Sequence, residues 1–465
     1  MIRLSLDRRG ALPAYRQIYQ RLRDAILAGD LAPGARLPST RSLASQLATA
    51  RGTVGLAYDL LAGEGYIVAR GAGGTMVDPE LGGRARKPAP RPSSATQASG
   101  APHDPAPLPF QMGLPALDAF PRKLWSRLAA RRARGLATAG MVYQDPCGLV
   151  PLRQALVSYL AIARGITCSV DQLFITGGYQ GALGLIAHAL LRPGDTVWIE
   201  DPGYFITREA LAHAGARLAP VPVDADGLDV GAGIARAGTA RFAVVTPAHQ
   251  SPLGVTLSLP RRFALLAWAA RADAWIIEDD YDSEFRYRGR PLPALKSLDE
   301  PGRVLYAGTF SKVLFPALRL GYLVVPPALV ERFARTCALL QPHPSPIAQA
   351  VVADFIAEGH FARHIRRMRQ LYGERGDALV DALIERAGLA VDRSPGGMAV
   401  LARLARDADD AALAARALAA GLAANPLSRF AIATPCVPAL QLSFTNVAVE
   451  AAPLLASRLR RALAD

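Results

Sequence analysis

A lysine placed just after a predicted strand could carry covalent chemistry in this chain. Residues 304–307 form an apolar run typical of a buried strand, and Gly308-Thr309-Phe310-Ser311-Lys312 follows it directly. A lysine amine at a strand end, flanked by hydroxyl groups, suits a Schiff base with an aldehyde cofactor. The alternative interpretation is an ordinary surface lysine.

The scarcity of lysine favours the covalent interpretation. Of the 53 basic residues only four are lysines: Lys87, Lys123, Lys296 and Lys312. Lys87 lies in a proline-rich stretch, Lys123 in an arginine-rich helical run, and Lys296 in a loop flanked by prolines. By elimination, Lys312 is the one good candidate for a Schiff-base lysine.

Carboxylates follow another predicted strand, over residues 275–278. Glu278-Asp279-Asp280-Tyr281-Asp282 stands at the end of that strand, and Glu284 is close behind. Clustered acids of this kind could bind magnesium, although no histidine is adjacent in the sequence. A single carboxylate could instead pair with a protonated pyridine nitrogen. The sequence leaves both possibilities open.

A glycine-rich turn follows a third predicted strand, over residues 173–176. Gly177-Gly178-Tyr179-Gln180-Gly181 connects this strand to a helix. Glycines at such a turn expose backbone N–H groups at the positive end of the helix, which suits a phosphate. Many glycine-rich turns, however, are only turns.

These three motifs depend on one predicted architecture. Strand patterns alternate with amphipathic helix patterns, which is typical of an α/β layer fold with a mostly parallel sheet. The strands are expected at 173–176, 196–200, 242–246, 275–278 and 304–307, with helices such as 182–191 and 261–271 between them. Because ligands bind at the carboxyl ends of such strands, the three motifs are expected to meet there.

The first 77 residues predict a different unit, a winged helix-turn-helix. Helical patterns run from Pro13 to Gly29, after Ser39-Thr40, and from Arg51 to Gly63, and two short strands flank the turn at residues 71–74. The third helix is expected to enter a DNA major groove. The candidate DNA-binding residues are Arg36, Ser39, Arg41, Arg51, Gly52, Thr53 and Arg70.

The charge of this head agrees with a nucleic-acid partner. Residues 1–77 carry ten arginines against five acidic residues. A basic surface of this kind neutralises phosphates along a DNA backbone. The alternative is a three-helix module that docks onto another protein through a solvated basic face.

A proline-rich segment separates the head from the rest of the chain. Residues 78–109 contain eight prolines with Gly, Ser and Ala between them, a composition typical of an extended linker. We therefore predict a DNA-binding head at 1–77, a linker at 78–109 and a body at 110–465.

Composition excludes several classes of protein. The chain has 465 residues and a formal charge of +14, which favours an anionic partner. It contains no apolar run of the ~20 residues that a membrane helix needs, and its start lacks a signal-peptide core. Four scattered cysteines form no metal or disulfide pattern. A cytoplasmic protein without a bound metal is expected.

The head resembles the GntR-type winged helix of bacterial regulators. The resemblance rests on Leu37-Pro38-Ser39-Thr40-Arg41, Arg51-Gly52-Thr53-Val54 and Glu64-Gly65-Tyr66. It implies that the head binds double-stranded DNA. One departure is Ala48-Thr49-Ala50, where that family usually has a glycine-containing turn.

The body resembles the fold-type I pyridoxal-phosphate enzymes of the aspartate aminotransferase class. Thr309-x-Ser311-Lys312 followed by Arg319-Leu320-Gly321-Tyr322 is similar to their lysine motif. The resemblance implies pyridoxal 5'-phosphate joined to Lys312, with Asp279 on the ring nitrogen and Tyr281 on the ring hydroxyl. It also implies other cofactor contacts, namely Tyr204 stacked on the ring and Gly178, Tyr179, Gln180, Thr309, Ser311 and Arg319 at the phosphate.

Head, linker and body together resemble the MocR subgroup of GntR-type regulators. The runs Asp279-Asp280-Tyr281-Asp282-Ser283-Glu284-Phe285 and Phe315-Pro316-Ala317-Leu318-Arg319 are close to its pattern. The resemblance implies a homodimer that binds a DNA operator. It also implies a body that senses pyridoxal phosphate or an amine effector through the Lys312 linkage.

Two positions depart from working aminotransferases. Ser251 stands where they usually carry the Asn that bonds the ring hydroxyl, and Gln441 stands where they carry an arginine for the substrate carboxylate. A neutral amide cannot replace a bidentate charged pair without loss. Arg208 and Arg429 are the candidate effector-binding residues that could compensate.

The missing carboxylate anchor favours a sensor over an enzyme. A regulator needs only a ligand that shifts a two-state equilibrium. We therefore expect a transcription regulator whose effector is pyridoxal phosphate itself, an amine or a sulfonate, with a residual half-reaction left open. The alternative is an active aminotransferase with an accessory DNA-binding or protein-docking head.

Overall fold

The computed structural model describes residues 6–7, 12–83, 106–287, 293–340, 343–391 and 395–464. The chain divides into two compact units, Met1–His103 and Asp104–Asp465. They are the head and the body.

Residues 12–83 of the head form three helices and a two-stranded hairpin. Its elements are α1 (Ala14–Ala28), α2 (Thr40–Gln46), α3 (Arg51–Gly63), β1 (Ile67–Ala69) and β2 (Thr75–Val77). The two strands pair antiparallel, with Ile67 beside Val77. This is the predicted winged helix-turn-helix.

Local sequence explains the boundaries of the head helices. Pro13 precedes α1, and Gly29 ends it in the left-handed conformation at φ 83°. The Ser39 side chain caps α2 by accepting a hydrogen bond from the Ser42 N–H. The turn between α2 and α3 requires a left-handed residue, Ala48 at φ 48°, which is the site where a glycine would be expected.

The head core is apolar and continuous. Ile18, Leu22, Val54 and Leu61 are almost fully buried and pack together. Leu81, which belongs to the predicted linker, also packs against this core.

The body begins within the predicted linker as well. Leu108 accepts a hydrogen bond from the Asn446 side chain, and the Ala423 N–H donates to the Pro109 carbonyl at 2.9 Å. Residues 84–105 of the predicted linker lie outside the described residues. The exact limits 77/78 and 109/110 stay predictions.

Among the described residues of the body, the large sheet has eight strands in the order β3-β10-β9-β8-β7-β4-β5-β6. Its central strands β5, β4, β7, β8 and β9 run parallel, whereas β10 is antiparallel to both β3 and β9. The strands are β3 (Leu173–Thr176), β4 (Thr196–Asp201), β5 (Arg217–Asp224), β6 (Gly227–Leu228), β7 (Phe242–Val245), β8 (Trp275–Asp280), β9 (Val304–Thr309) and β10 (Gly321–Val324).

Helices cover this sheet. They are α4 (Arg122–Arg134), α5 (Val150–Arg164), α6 (Gly178–Leu190), α7 (Phe205–His213), α8 (Val230–Ala237), α9 (Leu259–Arg271), α10 (Val330–Leu340), α11 (Pro346–Ala357) and α12 (His360–Ala382). Two apolar cores lie among the strands and these helices, one containing Phe174 and Ile277 and the other Trp198 and Ile276. The predicted α/β layers with a mostly parallel sheet are therefore confirmed.

A small antiparallel sheet completes the body, with the order β11-β12-β14-β13. Its elements are β11 (Ala390–Val391), β12 (Ala399–Arg403), α13 (Asp410–Ala419), β13 (Asn425–Pro426), β14 (Ala439–Ser443) and α14 (Ala452–Ala464). Leu440 and Leu442 of β14 are fully buried in the third core of the body, which also contains residues of α12 and α14.

Candidate functional site

A cavity of about 580 Å³ opens where strands β8 and β9 end. The size lies within the usual range of small-molecule sites, and the carboxyl edge of a parallel sheet is where α/β folds bind ligands. Of the ten predicted cofactor residues, nine line this cavity: Tyr179, Gln180, Tyr204, Asp279, Tyr281, Thr309, Ser311, Lys312 and Arg319. Gly178, the tenth, is buried at the start of α6.

Lys312 reaches into the cavity from the turn that follows β9. Its Nζ donates a hydrogen bond to the Gly113 carbonyl oxygen at 3.1 Å. Enclosure by the cavity walls disfavours the charged amine and lowers its pKa, although Asp279 and Asp282 offset part of this effect. A neutral amine is the form that attacks an aldehyde.

Asp279 approaches the cavity from β8. It is 6 % exposed, and its Oδ1 has no hydrogen-bond partner among the described residues. Burial, reinforced by the adjacent Asp280, raises the pKa of Asp279 well above its usual value. A buried, unpaired carboxylate oxygen is what a protonated ring nitrogen would require as its partner.

His249 adds a group that the sequence reasoning did not single out. Its Nδ1 lies 3.0 Å from the Tyr281 hydroxyl and 2.9 Å from Asp282 Oδ2. Burial favours the neutral ring, but the Asp282 carboxylate outweighs it and raises the pKa of His249. His249 follows the end of β7, so the strand-end rule applied to that strand would have identified it.

The neighbouring acids are occupied by protein partners rather than arranged around a metal. Arg164 Nε lies 3.0 Å from Asp280 Oδ2, and its Nη2 lies 2.9 Å from Glu284 Oε1. Asp282 pairs with His249. The described residues contain no group of three or more His, Cys, Asp or Glu that could hold a metal ion.

The phosphate end of the predicted site joins three turns. Gly178 starts α6 at φ 78°, and the Arg319 Nη2 donates to Gln180 Oε1 at 3.3 Å. Arg319 itself is left-handed at φ 49°, which is uncommon for a residue with a side chain. The Ser311 N–H donates to Thr309 Oγ1 at 3.2 Å. A helix N-terminus, a guanidinium and two hydroxyls suit a phosphate.

Tyr204 enters the cavity from the loop after β4. Burial raises its pKa to about 12, which keeps the phenol neutral. Beside it, the Tyr179 hydroxyl lies 3.1 Å from Thr207 Oγ1. Asp201 orders the facing loop by accepting hydrogen bonds from the N–H groups of Ile432, Ala433 and Thr434 at 2.7–2.9 Å.

The two arginines expected to compensate for the missing anchor lie outside the cavity lining. Arg208 donates to the carbonyl oxygens of Ala431 and Arg429 at 3.3 and 3.4 Å. The Arg429 guanidinium lies 3.8 Å above the Phe205 ring. By contrast Ser251 and Gln441, the two substituted positions, both line the cavity.

The candidate DNA-binding residues surround the α2–α3 corner and the hairpin of the head. Six of the seven are exposed, namely Arg36, Ser39, Arg41, Arg51, Gly52 and Arg70, and Thr53 is half-buried. Arg51 opens α3, and its Nε donates to Thr40 Oγ1 at 3.4 Å. The Tyr58 hydroxyl ties α3 to the Pro38 carbonyl at 2.8 Å. The leading end of α3 thus carries exposed Arg51 and Gly52 on the surface of the head.

Within the described ranges, no helix is both long and apolar enough to cross a membrane.

Two family patterns together account for both units. Residues 14–77 match the pattern "Bacterial regulatory proteins, gntR family", and residues 121–451 match "Aminotransferase class I and II".

Similar proteins share both halves of the chain. A probable rhizopine catabolism regulatory protein MocR of Rhizobium meliloti is 41% identical over 441 residues, covering 92% of this chain and 89% of that protein. The pyridoxine biosynthesis transcriptional regulator PdxR of Corynebacterium glutamicum is 35% identical over 369 residues, covering 79% and 78%.

Solved structures resemble the body. Kynurenine aminotransferase of Pyrococcus horikoshii has a TM-score of 0.70 at 29% identity, covering 76% of this chain and 90% of that one. LysN, the α-aminoadipate aminotransferase of Thermus thermophilus, solved with N-(5'-phosphopyridoxyl)-L-leucine, also has a TM-score of 0.70 at 29% identity, covering 77% and 92%. With its GntR-type DNA-binding head and its aminotransferase-like body, this chain belongs to the MocR-type transcriptional regulators.

Proposed function

We propose that the body binds pyridoxal 5'-phosphate at Lys312 and that this regulator senses the cofactor, or an amine that reacts with it. The observation that carries the proposal is that Lys312 and Asp279 line the same cavity and that Asp279 Oδ1 has no hydrogen-bond partner among the described residues. The bound cofactor would supply an aldehyde and an electron-withdrawing ring.

The residues of the chain would divide the remaining work. Asp279 would hold a proton on the ring nitrogen, Tyr281 would donate to the ring hydroxyl, and Tyr204 would cover the ring. The N–H groups at the start of α6, with Arg319 and the hydroxyls of Thr309 and Ser311, would bind the phosphate. All these groups line the cavity or lie at its edge.

Sensing, rather than rapid turnover, follows from the effector side of the cavity. Gln441 takes the place expected for the carboxylate-binding arginine, and Arg208 and Arg429 are outside the lining. An α-carboxylate placed beside Gln441 would therefore lose the bidentate arginine partner expected at that position. We infer that the effector is the cofactor itself or an amine without an α-carboxylate.

A homodimer completes the proposal. Met141, Val142 and Tyr143 of the body form an exposed apolar segment, with Tyr143 92 % exposed. A second copy of the chain would cover such a segment and pair two heads on an operator with two half-sites. Sedimentation velocity measures the expected state.

The test of the cofactor site is the visible absorbance of the purified protein supplied with pyridoxal phosphate. Wild type is expected to gain an absorbance band of the bound cofactor. Borohydride should then fix the cofactor covalently on Lys312, because reduction converts the C=N bond of a Schiff base into a stable C–N single bond. Lys312→Ala should lose the band, whereas Lys123→Ala, at an exposed position of α4, should keep it. A wild type that stays colourless, or a Lys312→Ala variant with the same band, contradicts the proposal.

The same preparation separates a sensor from an enzyme. Steady-state transamination is measured with common amino acids as donors, and turnover near ordinary enzyme rates, about 1 s⁻¹ or more, would identify a working aminotransferase. We expect at most a slow half-reaction.

A further inference from the structure

One wall of the Lys312 cavity is a face of the small sheet. In the β12–β14 pair, Leu401 stands beside Gln441 and Ala399 beside Ser443. Because side chains alternate along a strand, these four share one face, and all four line the cavity. Leu442, between the two polar residues of β14, points into the core instead.

Gln441 is the unsatisfied group on this wall. Its side chain is 7 % exposed, and its Oε1 has no hydrogen-bond partner among the described residues. Ser443 on the same face is satisfied, because its Oγ donates to the Met398 carbonyl at 3.1 Å and lies 2.9 Å from Thr445 Oγ1. A buried acceptor without a donor destabilises the folded protein, so a ligand that donates a hydrogen bond to Gln441 Oε1 would remove this cost.

The surroundings of Gln441 favour a ligand group without negative charge, because most of the cationic groups of the cavity already have partners. Among the described residues lining the cavity, the cationic groups are Lys312 and Arg319, together with His249 when protonated. Arg319 is bonded to Gln180, and His249 to Asp282. Arg286, whose Nε is also unpartnered, lines a smaller neighbouring cavity instead.

The rest of the wall near Gln441 is apolar. Met112, Leu114, Met398 and Leu401 line the cavity together with it. An anionic group placed among them would lose its hydration without gaining a charged partner, whereas a neutral donor would lose little and satisfy Gln441.

We propose that Gln441 selects the effector: a primary amine that carries a hydroxyl group and no carboxylate, with the hydroxyl donating to Gln441 Oε1. The proposal rests on the proposed function, since the amine would take the place of Lys312 on the cofactor. In that exchange a C–N bond to the effector forms, the C–N bond to Lys312 Nζ breaks, and the two amine protons pass to Nζ. Nothing is oxidised or reduced, and no co-reactant is needed.

The experiment uses full-length protein loaded with pyridoxal phosphate and matched amines. The pairs are 3-amino-1-propanol against propylamine and 4-aminocyclohexanol against cyclohexylamine, with β-alanine as the carboxylate probe. Affinity is read from the change in cofactor absorbance. In at least one pair we expect the hydroxylated amine to bind roughly tenfold tighter or more, because it pairs a buried acceptor that its analogue leaves unpaired. β-Alanine should bind more weakly than 3-amino-1-propanol.

Variants at position 441 connect the preference to this residue. Gln441→Leu removes the acceptor and should abolish the hydroxyl preference, whereas Gln441→Glu keeps an acceptor oxygen and should retain it. Gln441→Arg should gain affinity for β-alanine, which a merely structural role of Gln441 would not produce. Each variant is compared only after its cofactor band has been verified.

Three results would overturn the inference: equal affinities within both pairs, a preference that survives in Gln441→Leu, or a wild type that binds β-alanine best. Failure of the proposed function looks different, because the protein would then show no cofactor band at all. A band with no hydroxyl preference rejects only the role of Gln441.

Discussion

Lys312 and Asp279 have their chemical character imposed by their surroundings. Enclosure disfavours charge on both, which lowers the pKa of the amine and raises the pKa of the carboxyl group. Both shifts favour the neutral forms before a ligand arrives. A cofactor that brings a protonated ring nitrogen would give Asp279 the positive partner that stabilises its ionised form.

At the scale of a single residue, protonation of His249 is expected to make the stability of the folded protein depend on pH. Asp282 raises the pKa of His249 above its usual value despite the opposing effect of burial and of Arg286. The stability that protonated His249 contributes is fully present below its unfolded pKa of about 6.5 and is lost as pH rises through the folded pKa. Wild type should therefore exceed His249→Gln in unfolding midpoint by more at pH 6 than at pH 9.

Urea unfolding of the cofactor-free protein, followed by tryptophan fluorescence, measures these midpoints. Asp282→Asn serves as the matched control, because it removes the charge that raises the pKa while leaving the ring in place. Its own stability difference between the two pH values should be smaller than that of wild type. A His249→Gln deficit that is the same at both pH values contradicts the ion pair.

At the scale of elements, the segment that leads into the body contacts Lys312. The Ser443 N–H donates to the Phe110 carbonyl at 3.1 Å, and Gly113 receives the Lys312 hydrogen bond. Thr445 Oγ1 also donates to the Leu114 carbonyl. The chain that enters the body from the linker side is thus part of the cavity wall.

Gly113→Ala tests how closely this segment approaches Lys312. Gly113 has φ 86°, and an added Cβ would lie 2.7 Å from Lys312 Nζ. The methyl group must displace the amine, and the left-handed backbone costs about 1–2 kcal/mol with a side chain present. We expect weaker retention of pyridoxal phosphate, measured as loss of absorbance on dialysis.

Gly184→Ala is the control for this substitution. Gly184 lies within α6, and a Cβ there meets nothing within 4 Å. This variant should retain the cofactor as wild type does. Equal retention by Gly113→Ala would show that the segment yields without disturbing the lysine.

At the scale of the whole molecule, the head and the body have separate apolar cores, and we propose that the head recognises DNA while the body senses the effector. The head has its own apolar core around Ile18 and Leu61, and the candidate cofactor residues all belong to the body. Substitutions in the head are therefore expected to change DNA binding while leaving the cofactor absorbance intact.

Arg51→Ala tests the DNA-binding side of this division. Arg51 is exposed at the first turn of α3, and we expect it to contact a base edge. Its loss should weaken specific binding by about 1–3 kcal/mol and relax sequence preference at one position. The measurement is fluorescence anisotropy with an upstream DNA fragment at several salt concentrations.

Arg16→Ala, on the exposed side of α1, is the matched control. It removes the same charge away from the leading end of α3, so its effect should be small and independent of sequence. Equal losses from both substitutions would reject base reading by Arg51 and leave only a general electrostatic contribution.

The sequence by itself identified what depends on local pattern and residue type. Helix and strand periodicity predicted both folds, and the scarcity of lysine singled out Lys312. The strand-end rule pointed to the acids at 278–282, and the resemblance to aminotransferases singled out Asp279 among them. The fold predictions are confirmed because each element forms from neighbouring residues. The cofactor roles of Lys312 and Asp279 stay predictions, but both residues line one cavity because parallel strands bring their carboxyl ends to one edge.

Tertiary structure alone decided the contacts between distant segments. It paired Arg164 with Asp280 across 116 residues, placed His249 on Asp282, and brought Gly113 to Lys312 across 199. It also left Gln441 Oε1 unpaired and kept Arg208 and Arg429 out of the cavity lining. Such contacts follow from how whole layers pack, and no local periodicity or composition encodes which distant side chains will meet.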